Sequence, residues 1–110
     1  MNNGINRSGV VSKRDQDTVP EQLYPGVFKR TLWVGDSGSK ALIVEIEPGA
    51  RFLELDVHQP GPEIVYVLEG TFNDGVEDFD PGTYIHHPAG SSHIPQSETG
   101  CRLLVIFPEG

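Results

Sequence analysis

The 110-residue sequence has a single cysteine, Cys101. That excludes an internal disulfide framework and any zinc site built from several thiolates. Long apolar runs are missing too. The longest strictly apolar stretches are Ala41–Val44 and Leu103–Phe107, far short of the roughly 20 residues that span a bilayer, so no membrane partner is expected. The opening residues, MNNGINRSGVV, lack the apolar core of a secretory signal. Together with the lone thiol this leads to the expectation of a cytoplasmic protein. Basic side chains are scarce after residue 40, where only Arg51 and Arg102 face twelve acids; the whole chain carries a formal charge of −8. Such a surface repels phosphate backbones, and nucleic acid is not an expected partner. Finally, no segment of roughly 10–12 residues shows a capped 3.6-residue period, which argues against a helical fold.

What is present is a series of short strand-like runs cut by Gly and Pro. Residues 1–19 are polar and aperiodic and read as a flexible arm or a cap, with the arm set at residues 1–23. From Tyr24 the runs are Val27–Val34, Ala41–Glu47, Arg51–His58, Glu63–Glu69, Thr83–His87, His93–Ser97 and Arg102–Phe107. Thr71-Phe72 and Glu77–Phe79 flank Asn73-Asp74-Gly75, a hairpin turn signal. Strands at roughly 8–12-residue spacing with turn residues between them predict an antiparallel sandwich or barrel over residues 24–110. One domain is the default at this length.

The four histidines fall within residues 58–93: His58, His86, His87 and His93. In the run ending at His58, Glu54, Asp56 and His58 share one face of a strand. Taken alone, that run reads as half-exposed, with the acids outward and Leu53, Leu55 and Val57 inward. Two later features shift the balance. Glu63 follows His58 by five residues across Pro60-Gly61-Pro62, and His93 follows Pro88-Ala89-Gly90 by three. Tight turns of this kind can return His58, Glu63 and His93 to one cavity. Two imidazoles and a carboxylate suit a divalent transition metal with open positions, with Asp56 as a possible fourth ligand. His86 and His87, as strand neighbours, face opposite sides; neither is taken as a ligand. Glu54 reads as a surface carboxylate, and Cys101 as a small buried hydrophobe.

These residues carry a family resemblance. The stretch Asp56-x-His58, Glu63, Gly70 is similar to the first cupin motif, with Asp56 where that motif has its first histidine. Gly82, Pro88, Gly90 and His93 match the second motif, with Ser97 in place of a frequent asparagine. The wording of YVLEGTFNDG, FDPGTYIHHPAGSSH and GCRLLVIF resembles the ChrR-type cupins. The resemblance implies an all-β, double-stranded β-helix (jelly-roll) barrel, a small-molecule ligand and a homodimer, with residues 24–34 as the exchanged or apposed strands. It also implies a site that holds Fe(II), Zn(II) or Mn(II). Asp56 has three readings there: a ligand, a group that orients His58 or a water, or the mark of a site that has lost its metal. The functions implied are a metal-dependent dioxygenase acting on a diketone or related compound or, alternatively, a metal-binding sensor module without the helical anti-sigma domain. No separate catalytic base stands out; Glu63 is the candidate.

Overall fold

The computed structural model describes residues 3–110. Ten strands form a jelly-roll sandwich with almost no helix, apart from one 3-10 turn at Asp15–Asp17. The main sheet has six antiparallel strands: β1 (Glu21–Tyr24), β2 (Val27–Val34), β3 (Lys40–Ile46), β10 (Cys101–Phe107), β5 (Glu63–Gly70) and β8 (Tyr84–His87), in that spatial order. The opposite wall is made of fragments. There β4 (Asp56–Val57) pairs with β9 (Ser92–His93), and β6 (Phe72–Asn73) pairs with β7 (Asp78–Phe79).

β-branched and leucine-rich runs build the long strands, and turn residues end them. Val27–Val34 is a strand over the span expected. One strand was not legible. Glu21–Tyr24 forms β1 across the boundary set between arm and barrel at residues 23 and 24, hairpinned to β2 through Pro25-Gly26. The preceding 3-10 turn is tied to the sheet by two arginines. Arg30 donates to the carbonyls of Asp15 and Thr18, Arg102 pairs with the Asp15 carboxylate, and both reach Glu45 on β3.

The core lies between the two walls. Val27, Ile46, Val65, Val67, Phe72 and Leu103 are all under 4% exposed, and burying each such side chain contributes about 1.5–3 kcal/mol. Gly70 permits the close approach of β5 to β10. Its φ is +72°, and a Cβ there would sit 2.0 Å from the Gly100 carbonyl oxygen. The Gly70 of the first motif is therefore a packing requirement of the fold.

The segment 51–58 departs from expectation. Only Asp56–Val57 is paired as a strand, with one isolated bridge at Arg51. Leu53, Leu55 and Val57 are exposed by 63%, 58% and 47%, whereas Asp56 is half-buried and His58 buried. The apolar face thus points outward, which corrects the reading that placed it in the core. The cause is the pairing of Asp56 with His93, which turns that face inward and, at period 2, the other one out. Glu54 is at the surface.

Candidate metal centre

Four elements bring the polar cluster together. Glu63 opens β5 and pairs with His87, the last residue of β8, within the main sheet. His58 follows β4 and His93 ends β9, on the fragmented wall. The second motif explains how these segments meet. At Gly90 the backbone takes φ +86°, and its N–H donates to the His58 carbonyl at 2.7 Å, while the His58 N–H donates to the Ser91 carbonyl at 2.9 Å. The Pro88–Gly90 turn therefore clips one motif to the other.

His58, Glu63, His87 and His93 are all buried, and one donor atom from each lies within 4.8 Å of the others. His58 Nε2 is 3.0 Å from His93 Nε2 and 3.3 Å from Glu63 Oε1. Glu63 Oε1 is 3.5 Å from both His93 Nε2 and His87 Nδ1. Asp56 stands at the edge, with Oδ2 3.1 Å from His93 Nε2 and 3.5 Å from His58 Nε2. The structure thus gathers the four residues named from the sequence, Asp56, His58, Glu63 and His93. It adds His87, which the sequence reading declined. The alternation that sent His86 and His87 to opposite sides holds: His86 is exposed and His87 buried. Which of the two faced inward depended on the pairing with Glu63, which spacing does not reveal.

The donor set fits a metal ion. Ligands about 2.1 Å from a common centre stand about 3.0 Å apart in an octahedron and about 3.4 Å apart in a tetrahedron; the separations here span that range. Among the described residues, both ring nitrogens of His87 and Nδ1 of His93 are buried without a hydrogen-bond partner. An unsatisfied buried polar group costs about 1–3 kcal/mol; ligation through His87 Nδ1, the ring nitrogen 3.5 Å from Glu63 Oε1, would remove that cost at one of the three. The tautomer of His58 is also set for the purpose. The Ser91 hydroxyl donates to the Pro88 carbonyl at 2.6 Å, so it accepts from His58 Nδ1 at 3.0 Å. This leaves the Nε2 lone pair directed at the cluster. Ser91 was not singled out by the sequence reading; only its place three residues after Pro88 hinted at it.

The electrostatics agree. Burial, then the Asp56 charge, push the Glu63 carboxyl up to about 8. Burial pushes the Asp56 carboxyl up, but the hydrogen bond from His93 and the neighbouring imidazoles outweigh it and hold it low. Burial and the neighbouring histidines take His87 down to about 4, and burial also lowers His58. Without a cation the cluster therefore keeps one carboxylate neutral and His58 and His87 unprotonated near pH 7. Cys101 takes no part: burial raises its thiol to about 11, which makes it inert.

A cavity of about 200 Å³ opens from this cluster. Asp56, Glu63 and His93 line it together with apolar residues that include Leu42, Val65 and Val105.

Comparison with known proteins agrees with the fold. The family described as the ChrR Cupin-like domain matches residues 9–108. Among solved structures, an RmlC-like cupin from Shewanella frigidimarina superposes with a TM-score of 0.77 at 22% identity, over 90% of each chain. The anti-sigma ChrR, in its complex with SigE from Rhodobacter sphaeroides, gives a TM-score of 0.72 at 26% identity, over 84% of this chain. This chain spans half the length of that one. The polyketide cyclase RemF from Streptomyces resistomycificus gives 0.76 at 23% identity, over 92% of this chain and 80% of that one. No curated protein matches the sequence. A match of one family over nearly the whole chain, on a jelly roll with a buried three-histidine, one-glutamate cluster, makes this protein a member of the ChrR cupin-like family.

Proposed function

We propose that this protein is a non-haem, divalent-metal oxygenase of a small organic compound, a diketone or a related chelating molecule. The observation that carries the reading is the buried His58, Glu63, His87, His93 cluster at the end of an apolar cavity. In this reading the four residues hold Fe(II), with Zn(II) or Mn(II) as alternatives, and Asp56 is a further ligand or orients His93. The bound ion would supply a Lewis acid and a site for oxygen chemistry. The chain's own part is to hold and to shield. Ser91 fixes the His58 ring, His87 and Glu63 close the inner side of the cluster, and the valine and leucine lining keeps bulk water from the reacting end. Glu63 is the candidate proton acceptor, in its ionised form and once released from the ion. Reconstitution with Fe(II), followed by oxygen uptake over a panel of diketones and catechol-like compounds, tests this. Uptake that His93→Ala removes supports it; a fully loaded protein inert to the whole panel refutes it.

A second reading follows from the family itself. The ChrR match favours a metal-binding sensor, and this chain corresponds to half of that protein. Tight Zn(II) binding without oxygen uptake, with affinity for a partner protein that changes on oxidation, would establish it. Either way we propose a cytoplasmic homodimer, in keeping with the buried free Cys101 and the exposed Tyr66, Leu68 and Tyr84 on β5 and β8. Light scattering that gives a monomer at micromolar concentration refutes the dimer.

A further inference from the structure

The cavity that begins at the metal cluster does not end in apolar residues. Lys29 on β2 and Lys40 on β3 line it as well. Lysines on the inner side of a jelly roll are unusual, because an ionised amine beside apolar lining needs a partner. Lys29 has one: its Nζ is 3.1 Å from Glu21 Oε2, out on β1. Lys40 has none. Among the described residues no carboxylate lies within 4 Å of its Nζ, which instead stands 5.2 Å over the Phe107 ring.

The register places this amine opposite the cluster. Lys40 pairs with Phe107 on β10, and the preceding residue, Ile106, pairs with Ile64 on β5. Lys40, Phe107 and Glu63 therefore follow one another across three adjacent strands, with about 10 Å between the outer two backbones. The inner-face row beside them is Leu42, Val105 and Val65. The cavity thus brings together metal-ligating groups, an apolar wall and an unpaired cation. Its volume of about 200 Å³ is below the roughly 300–1,000 Å³ that drug-sized ligands occupy, so the occupant is small.

We propose that Lys40 is an anion anchor, and that the site takes small organic acids whose metal-binding end meets the histidines and whose carboxylate meets Lys40. This rests on the metal reading above and narrows it. The neutral diketone becomes a chelating acid with a short apolar body. Lys40 is a binding and specificity residue; it does not touch the reacting end. The remaining basic side chains near the sheet do not compete for this role, since Arg30 and Arg102 are engaged by Glu45 and Asp15 on the other face.

The test compares one skeleton with and without its charge. Succinylacetone and its methyl ester are titrated by calorimetry into the metal-loaded protein, wild type, Lys40→Met and Lys40→Arg. Metal content and melting temperature are recorded for each. In the wild type the acid binds about tenfold tighter than the ester, the scale of a charge-assisted contact in a partly shielded site. Lys40→Met removes that preference while leaving ester affinity and metal content unchanged, and Lys40→Arg keeps it. Equal affinity for acid and ester in the wild type, or a preference that survives in Lys40→Met, overturns the proposal. Failure of the cluster to take up metal is a separate result and refutes the metal reading alone. The same titration run on the metal-free protein then decides on Lys40, whose preference for the acid must persist there.

Discussion

The two ends of the inner face are built from the same strands and do opposite things. Toward one end, Val27, Ile46, Cys101, Leu103 and Val67 close on Phe72, and nothing polar intrudes except the Ser97 hydroxyl, which donates to the Thr71 carbonyl. Toward the other, only a few residues further along each strand, the same inward positions hold Lys40, Glu63 and His87. The first end is closely packed, and its Leu103 and Phe72 also reach the cavity wall. The second end keeps space and holds charged or ligating groups with too few partners. Stability is concentrated toward one end and chemistry toward the other, with Leu103 and Phe72 shared at the border.

Breaking the packed end gives the largest effect. Phe72→Ala, at a fully buried ring, lowers stability by about 3–5 kcal/mol, read by urea titration. Breaking the open end acts through the ligand. At a free metal concentration 100 times its dissociation constant, loading stabilises the wild type by about 2.7 kcal/mol. His58→Ala and His93→Ala lose that increment, and thermal melts with and without metal show it.

The pH dependence separates the ends without mutation. Glu63 titrates near 8 in the metal-free fold and near 4.5 when unfolded. The folded state therefore binds the extra proton, and this contribution is present at low pH and lost as pH rises through 8. His87, lowered to about 4, acts in the opposite sense, but only below its unfolded value of 6.5. Between pH 6.5 and 8 the metal-free protein accordingly loses stability with rising pH, by up to about 1.4 kcal/mol per unit, and Glu63→Gln flattens the slope. Metal loading at pH 7 expels the Glu63 proton. Calorimetry in two buffers of different ionisation enthalpy gives about one proton released, and fewer above pH 8. A smaller effect is expected at Ser91→Ala, which frees the His58 ring and weakens metal binding by about tenfold at a stability cost of about 1 kcal/mol. The smallest comes from outside the comparison altogether: Leu55→Thr, at an exposed side chain, changes stability by less than about 0.5 kcal/mol.

Much of the packed end is legible in the linear order of residues. β2, β3, β5 and β10 announce themselves by apolar and β-branched runs bounded by turn residues. The open end is less legible because it depends on register. Nothing in Arg51–His58 alone says that Leu53, Leu55 and Val57 face out; only the pairing of Asp56 with His93 decides it. His87 joins the cluster because it pairs with Glu63, twenty-four residues away. Lys40 enters the cavity because β3 lies against β10, the second long strand beside the last. Glu21–Tyr24 escaped notice because EQLY has no alternation of its own and becomes a strand only against β2.

One feature of the cluster reaches beyond ligand chemistry. Glu63 and His87 stand on the six-stranded sheet, whereas His58 and His93 stand on two-residue strands of the opposite wall. An ion held by all four is a cross-link between a stiff wall and a soft one. Without it, the amides of β4 and β9 have little to slow their exchange with solvent. With it, opening those strands requires breaking metal bonds, so loading would be felt as rigidity along the whole short wall, including the exposed Leu55 and Val57 on its outer side.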